Sequence, residues 1–292
     1  TCLTCWILQL SCPTHKFVDD TTVTEILAAS QPSLMHRYFQ QLVDWTLTNS
    51  MQINENKTKE MVITTSHAVS IPPFPSIERV SSFKILGVIV SNNLKWTEHV
   101  HYISAKANSR LHFLKQLKRA GLSNDDILHF YIAVIRPVLE YAAPVWHSSL
   151  TKELSDQLES LQKRALRIIF GYSRVTDISY NNFCAELDIT TTSFRRDEIS
   201  CKFFHKLFDT SSCLHHLIPV KRDVTQSQKL RHPTLYQTPF ARTERFKNSL
   251  IIYGLNNYHH HHSRLTSTSS ALAQVGRFLP NQAPPLQSVL RP

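Results

Sequence analysis

The chain has 292 residues, of which 42% are apolar, enough for one or two globular modules with buried cores. Its net charge of +10 favours a polyanionic partner such as nucleic acid, and it serves solubility equally well. No run of about eighteen apolar residues occurs, so we expect no membrane-spanning helix. The first residues lack the features of a secretory signal, so we expect an intracellular protein, nuclear or cytoplasmic.

The six cysteines show no dense disulfide framework, which fits free thiols in a reducing compartment. One group has a spacing that could instead hold zinc in a tetrahedral site, although the apolar segment inside it leaves little room. Its members are Cys2, Cys5, Cys12 and His15.

The first strong pattern in chain order is a pair of adjacent carboxylates between two short strands. Lys16–Val18 and Thr21–Thr24 are rich in β-branched and aromatic residues, which predicts a strand, turn, strand hairpin. Asp19 and Asp20 then lie at its tip. Neighbouring carboxylates repel each other, so the pair is either a solvated turn or a site that binds cations.

A helix and a strand are predicted after this hairpin. Ser33–Asn49 has the apolar stripe of an amphipathic helix that packs on a sheet, formed by Leu34, Tyr38, Leu42 and Trp45. Glu60–Thr65 reads as a strand, and a proline-rich loop follows it.

A longer strand is predicted over Phe83–Val90, with a turn at Ser91–Asn93, because asparagine tolerates left-handed backbone angles. Gly87 lies in the middle of this strand. It indicates a bulge or a close backbone approach, or it occurs there by chance.

Three helices are predicted from Thr97 onward, forming a small bundle. The first ends at Gly121. The second begins at Ser123, where Asp126 completes a variant of the capping box, and Pro137 kinks or interrupts it. The third, over residues 151–170, has an inward face formed by Leu154, Leu158, Leu161, Ala165 and Ile168.

Residues 95–174 contain 12 basic and 7 acidic side chains, so this segment is electropositive. Its cations on the first and third helices could contact a nucleic acid, and those near a helix C-terminus also interact favourably with the helix dipole. These residues are Lys106, Arg110, Lys115, Lys118, Arg119, Lys163, Arg164 and Arg167.

Together, these motifs resemble the reverse transcriptase of non-LTR (LINE-type) retrotransposons over residues 14–255. The segments that resemble it are His15–Thr22, Trp45 with Met51–Asn54 and Lys57–Lys59, Phe83–Val88 with Leu94–Trp96, Phe130–Tyr131, Arg136–Tyr141, Pro144–Trp146 and Leu161–Ala165. The resemblance implies an α+β chain. Its parts would be a partial palm of antiparallel hairpins and a packed helix at 1–94, a helical thumb at 95–174, a connection segment at 175–255 and a low-complexity tail at 256–292.

The resemblance also implies RNA-templated DNA synthesis on an RNA or DNA template-primer. Asp19 and Asp20 would hold Mg²⁺, and Lys57 would lie near the incoming triphosphate. A hairpin with Lys84, Leu86 and Gly87 would grip the primer, and the basic thumb would track the nucleic-acid backbone without reading its sequence.

The sequence departs from this family in its metal ligands. The family has a further aspartate on an earlier strand, whereas the eighteen residues before Asp19 contain no Asp or Glu, and no fingers precede the palm. We therefore expect weak Mg²⁺ binding and no polymerisation by this chain alone. It is then a remnant that still binds nucleic acid, or an expressed fragment without a function.

Two smaller patterns have alternative interpretations. Lys106–Ser123 is similar to the N-terminal helix of AlkB-type tRNA-modifying dioxygenases and methyltransferases, which suggests an oxidoreductase or methyltransferase. The sequence has neither an iron-binding H-x-D motif with a distant histidine nor a glycine-rich cofactor loop, so we interpret the likeness as a shared amphipathic helix. His259–His262 could bind a transition metal or form a solvated tract.

Overall fold

A computed structural model describes residues 12–28, 31–64, 71–171, 179–222 and 236–257. Of the described residues, 54% are helical and 10% are in strands, which confirms the α+β class at this coarse level. The chain divides into two compact units, residues 1–101 and 102–292. The proposed zinc ligands Cys2 and Cys5, the histidine run and residues 258–292 of the tail lie outside the described residues.

The predicted hairpin around the two carboxylates is confirmed. Strand β1 (Thr14–Phe17) pairs antiparallel with β2 (Asp20–Val23), and Phe17 and Asp20 are the last pair before the turn. Val18 and Asp19 form the two-residue turn. Val18 has φ of 56°, a left-handed conformation that is uncommon for a β-branched residue.

The predicted amphipathic helix is α1 (Met35–Thr48), and none of its side chains is fully buried. Its apolar face contacts Phe74, whose ring centroid lies 5.2 Å from that of His36 and 5.4 Å from that of Phe39. The Lys16 ammonium of β1 lies 5.6 Å from the Trp45 ring centroid. The helix is therefore half-buried against a loop and the first hairpin.

The strand predicted over Glu60–Thr65 is wrong for most of its length. Strand β3 is only Lys59–Glu60, paired in parallel with β4 (Glu78–Arg79), and residues 61–64 have no regular structure. The Arg79 guanidinium binds both oxygens of Glu60, at 2.8 and 2.9 Å, and donates to two carbonyls of the proline-rich loop. The Val80 N–H donates to the Glu60 carbonyl at 2.9 Å, and beyond this bond residues 61–64 have no strand partner among the described residues.

The single strand predicted over Phe83–Val90 is also wrong, because the chain reverses in its middle. Strands β5 (Ser82–Ile85) and β6 (Val88–Ser91) are antiparallel. Leu86 and Gly87 connect them with φ of 46° and 88°, and a two-residue turn with both values positive matches the twist of a hairpin. The three sheets formed by the described residues have two strands each.

Helices form the second unit. The helices are α2 (Thr97–Arg119, beginning in the first unit), α3 (Asn124–Phe130), α4 (Arg136–Glu140), α5 (Ala143–Trp146), α6 (Lys152–Phe170), α7 (Tyr180–Glu186), α8 (Thr192–Lys206), α9 (Glu244–Lys247) and α10 (250–257). A π-helical turn, Tyr131–Ile135, joins α3 to α4, so the irregularity expected at Pro137 is confirmed.

The predicted start of the second helix is also confirmed. The Ser123 hydroxyl accepts from the backbone N–H of Asp126 and donates to its carboxylate, 2.6 Å away. The expected inward face of α6 holds except at one position. Ile168 is only half-buried, whereas Ile169 is fully buried.

The apolar core of the second unit extends beyond the three predicted helices. Leu166 of α6 packs with Phe183 and Cys184 of α7. A second cluster contains Phe204 of α8 and Leu255 of α10. The four described cysteines, Cys12, Cys184, Cys201 and Cys213, are free thiols, and none of the described helices is long and apolar enough to cross a bilayer.

Candidate nucleic-acid interface

The two adjacent carboxylates, Asp19 and Asp20, lie at an exposed hairpin tip, as predicted. Asp19 is in the turn and Asp20 begins β2. Across the described residues, no three His, Cys, Asp or Glu side chains are grouped closely enough to hold a metal ion. Mg²⁺ requires a near-octahedral set of oxygen ligands, so the described donors do not by themselves fit a two-metal centre.

The other predicted site residues of the first unit lie in different turns and strands. Lys57 closes a turn that begins at Asn54. Its backbone N–H donates to the carbonyl and to the side-chain oxygen of Asn54, both at 3.1 Å. Lys84 is exposed on β5, and Leu86 and Gly87 form the next turn. Strand pairing among the described residues does not join these positions to the carboxylate hairpin.

In the second unit, helices α2 and α6 lie side by side and run in the same direction. The Gln157 amide of α6 donates to the Ser104 hydroxyl of α2 at 3.4 Å. Further along both helices, Arg164 of α6 donates to the Asn108 side chain at 3.1 Å. At their ends, the Lys118 ammonium of α2 donates to the Ile169 carbonyl in the last turn of α6.

This pairing places four of the predicted cations on one exposed surface. A helix turns by about 100° per residue, so Lys115 and Arg119 lie within about 20° of the Asn108 direction on α2. Arg164 contacts Asn108 and therefore extends the same surface onto α6, where Arg167 follows one turn later. We call Lys115, Arg119, Arg164 and Arg167 the basic ridge, and all four side chains are exposed.

Three of the other predicted cations contact neighbouring parts of the unit. Lys118 donates to the carbonyl of Ile169 at 2.7 Å, which satisfies one of the unpaired carbonyls at the end of α6. Arg110 donates to the carbonyl of Val134, in the π-helical turn before a proline that has no N–H. The Lys163 ammonium lies 4.7 Å from the Tyr180 ring centroid.

The eighth cation, Lys106, is exposed but lies on the opposite side of α2. Nine residues separate Lys106 from Lys115, which corresponds to about half a turn of rotation around the helix. Lys106 is therefore a natural comparison for Lys115, since both are exposed lysines of one helix.

A buried polar network that the sequence analysis missed fixes α6 against the rest of the unit. The Gln162 side chain is fully buried, accepts from the Tyr131 hydroxyl at 2.8 Å, and donates to the Tyr180 hydroxyl at 3.0 Å. Tyr180 donates to Glu159, which also accepts from the backbone N–H of Thr192 at 3.1 Å at the start of α8. Burial raises the pKa of Tyr131, so its hydroxyl stays protonated as a donor.

Arg196 forms a second buried polar group. Its guanidinium lies 5.8 Å from the Trp146 ring centroid and donates to Ser155 at 3.0 Å and to His147 Nδ1 at 3.5 Å. Burial lowers the pKa of Arg196 to about 10, and burial beside this cation lowers the pKa of His147 to about 4. His147 and Ser155 also line an open cavity of about 510 Å³, together with Asp197.

The only sequence signal for these buried groups was a polar residue within an apolar stripe. Gln162 follows Leu158 and precedes Leu166 at helical spacing, on the inward face of α6. Arg196, by contrast, follows another arginine in an ordinary charged segment. Nothing in its local sequence distinguishes it from its half-buried neighbours.

Comparison with known proteins gives no match. No protein-family model, no curated protein and no solved structure is significantly similar to this chain.

Proposed function

We propose that the second unit binds the phosphate backbone of a nucleic acid through the basic ridge, as the thumb of a remnant reverse transcriptase would. The partner would be an RNA or DNA template-primer. The observation that carries the proposal is the parallel packing of α2 and α6, which unites cations from two distant sequence segments on one exposed surface. Charges that contact phosphates position a nucleic acid without reading its bases.

The charge distribution along α6 limits the surface to one end of the helix pair. Glu153 and Asp156 lie about 20° in helix rotation from Arg164 and Arg167, respectively, but nearer the N-terminus of α6. Acidic side chains there suit the helix dipole and repel phosphates. We therefore assign the contact to the C-terminal halves of α2 and α6.

The salt dependence of duplex binding tests this proposal. Each phosphate contact releases counterions, so the negative slope of log K against log salt should become shallower by about 0.9 for each ridge cation removed. Lys115→Gln should show this change, and replacing all four ridge cations should make the slope shallower by about 3.6. Fluorescence anisotropy with a labelled duplex over a salt series measures it.

The matched control is Lys106→Gln, which removes the same charge from the opposite side of α2. It should leave the slope within error of that of the unmodified chain. Equal effects of Lys106→Gln and Lys115→Gln would show that net charge, and not the ridge, governs binding. A quadruple ridge variant with an unchanged slope would refute the proposal outright.

We further propose that this chain by itself does not polymerise. The supporting observation is that Asp19 and Asp20 have no third side-chain metal ligand among the described residues. A primer-extension assay with Mg²⁺ or Mn²⁺ should give no product. Extension by the unmodified chain that is lost in Asp19→Ala would contradict this and would require a further ligand.

A further inference from the structure

The segment between residues 236 and 248 is held at both ends by the second unit. At its start, Tyr236 forms a β-bridge with Lys221 and packs its ring centroid 5.2 Å from that of Phe208. At its end, the carbonyl of Asn248 accepts from the Ser149 hydroxyl at 3.0 Å. The chain between these anchors therefore has a defined position on the unit.

Two phenylalanines of this segment are exposed to solvent. Phe240 is 84% exposed and Phe246 is 47% exposed. A phenylalanine gains much free energy when its ring leaves water, and the folded unit leaves most of that gain for Phe240 unused. A single exposed apolar residue is ordinary, so the neighbouring side chains decide whether it marks a binding surface.

The neighbours of these rings are cationic. Arg242, Arg245 and Lys247 are exposed and alternate with the two phenylalanines along the chain. The one acidic residue among them, Glu244, pairs with Lys247. Neither arginine has an ion-pair or hydrogen-bond partner within the described part of the chain.

We infer that Phe240, Arg242, Arg245 and Phe246 form a binding surface for single-stranded nucleic acid. A phenylalanine ring stacks on a base without regard to its identity, and arginines beside it bind the adjacent phosphates. Bases in a duplex already stack on each other, so their faces are open to a protein ring only in single strands. This surface deepens the proposed nucleic-acid binding and rests on it, but it uses different residues from the basic ridge.

An anionic membrane is the other surface that rings and cations could meet. Amphipathic helices that anchor proteins in a membrane interface have a continuous apolar face. Here the only helix, α9, is the four-residue segment Glu244–Lys247, and Phe240 lies outside it. The observations therefore favour single-stranded nucleic acid.

Substitutions of Phe240 in the full chain test the inference. Phe240→Ala and Phe240→Leu both remove the ring, and Leu keeps an apolar side chain. Because stacking on one aromatic ring is worth a known range of free energy, each should weaken binding to a labelled oligo(dT) by between about 5-fold and about 150-fold. Phe240→Tyr keeps the ring and should bind like the unmodified chain.

Three outcomes would overturn the inference. The first is tight oligo(dT) binding by Phe240→Leu, since an apolar contact would then suffice without a ring. The second is an equal loss of duplex and single-strand binding in Phe240→Ala. The third is binding to vesicles of anionic phospholipid, but not to oligo(dT), that is lost in Phe240→Ala.

The same measurements separate this surface from the basic ridge. Lys115→Gln should change duplex binding and its salt slope, whereas Phe240→Leu should change only oligo(dT) binding. If the ridge variants have no effect while Phe240→Leu weakens oligo(dT) binding, the ridge proposal fails and this inference stands. The reverse result refutes this inference alone.

Discussion

Gln162 offers the sharpest test of how the second unit is held together. Its fully buried amide joins four groups: it accepts from the Tyr131 hydroxyl at 2.8 Å, donates to the Tyr180 hydroxyl and the Thr190 carbonyl, both at 3.0 Å, and lies 3.8 Å from the Cys184 thiol. Replacement with leucine keeps a side chain of similar size and removes all of these hydrogen bonds. The buried Tyr131 hydroxyl is then left without its Gln162 partner.

The expected loss follows from which groups remain unpaired. Tyr180 still donates to Glu159, so its hydroxyl keeps a partner. The Tyr131 hydroxyl and the Thr190 carbonyl lose the Gln162 bond. Tyr131 is 1% exposed, whereas Thr190 is exposed and its carbonyl can bind water, so only the hydroxyl is left unpaired in the core. A buried polar group without a partner costs about 1–3 kcal/mol, so Gln162→Leu should lower the free energy of unfolding by about 1–3 kcal/mol. That is a large fraction of the 5–15 kcal/mol typical of a domain.

Urea unfolding of the two single variants and the double variant measures this loss and assigns it to the pair. In Gln162→Leu with Tyr131→Phe, the unpaired hydroxyl is gone, so the double variant should be more stable than the sum of the single changes predicts by about 1–3 kcal/mol. Gln157→Leu is the matched control, because this half-buried glutamine of the same helix makes one hydrogen bond of 3.4 Å. Its effect should stay below about 1 kcal/mol.

Two results would refute this reasoning. One is a Gln162→Leu variant as stable as the Gln157→Leu control, which would mean that the amide is not buried among unpaired partners. The other is strict additivity in the double variant, which would mean that Tyr131 and Gln162 do not interact.

Three further predictions concern other parts of the molecule. Gly254→Ala should destabilise the protein by about 1–3 kcal/mol in urea unfolding, because its new Cβ would overlap the buried Phe204 ring. Between pH 6.5 and about 4 the unfolded chain binds a proton that buried His147 does not, so stability falls as the pH drops; from pH 7 to pH 5 the contribution is about 1–2 kcal/mol, and His147→Gln should remove it. Arg79→Lys should speed amide exchange at Phe74, whose N–H donates to Glu60 at 3.4 Å, since lysine cannot bind Glu60 and the loop carbonyls with one planar group.

Each of these has a control or a contrary result. Asn256→Ala, at an exposed position of the same helix, should leave stability near that of the unmodified chain, and an equally stable Gly254→Ala would show that the Phe204 ring can move aside. A pH profile that is unchanged in His147→Gln would place the titrating group elsewhere. Unaltered exchange at Phe74 in Arg79→Lys would show that a single positive charge is enough to hold the loop.

The parts of the fold that could be predicted are those set by neighbours in sequence. The hairpin around Asp19, the helix begun by Ser123 and most of the buried stripe of α6 follow from β-branched runs, capping and apolar spacing. The uninterrupted apolar run predicted a single strand, because it outweighed the turn residue Gly87 in its middle, and only the family resemblance implied a hairpin there. The short β3 was missed because its length depends on Arg79, nineteen residues away.

The candidate site shows the same division. Sequence alone determined that residues 95–174 form helices rich in cations, because charge and helical periodicity are local properties. Only the tertiary structure decided that Arg164 meets Asn108 and so joins Lys115 on the basic ridge, while Lys118 caps α6 instead. The physical reason is that the position of a long cationic side chain depends on where its hydrogen-bond partner lies, and the partners here are more than fifty residues away along the chain.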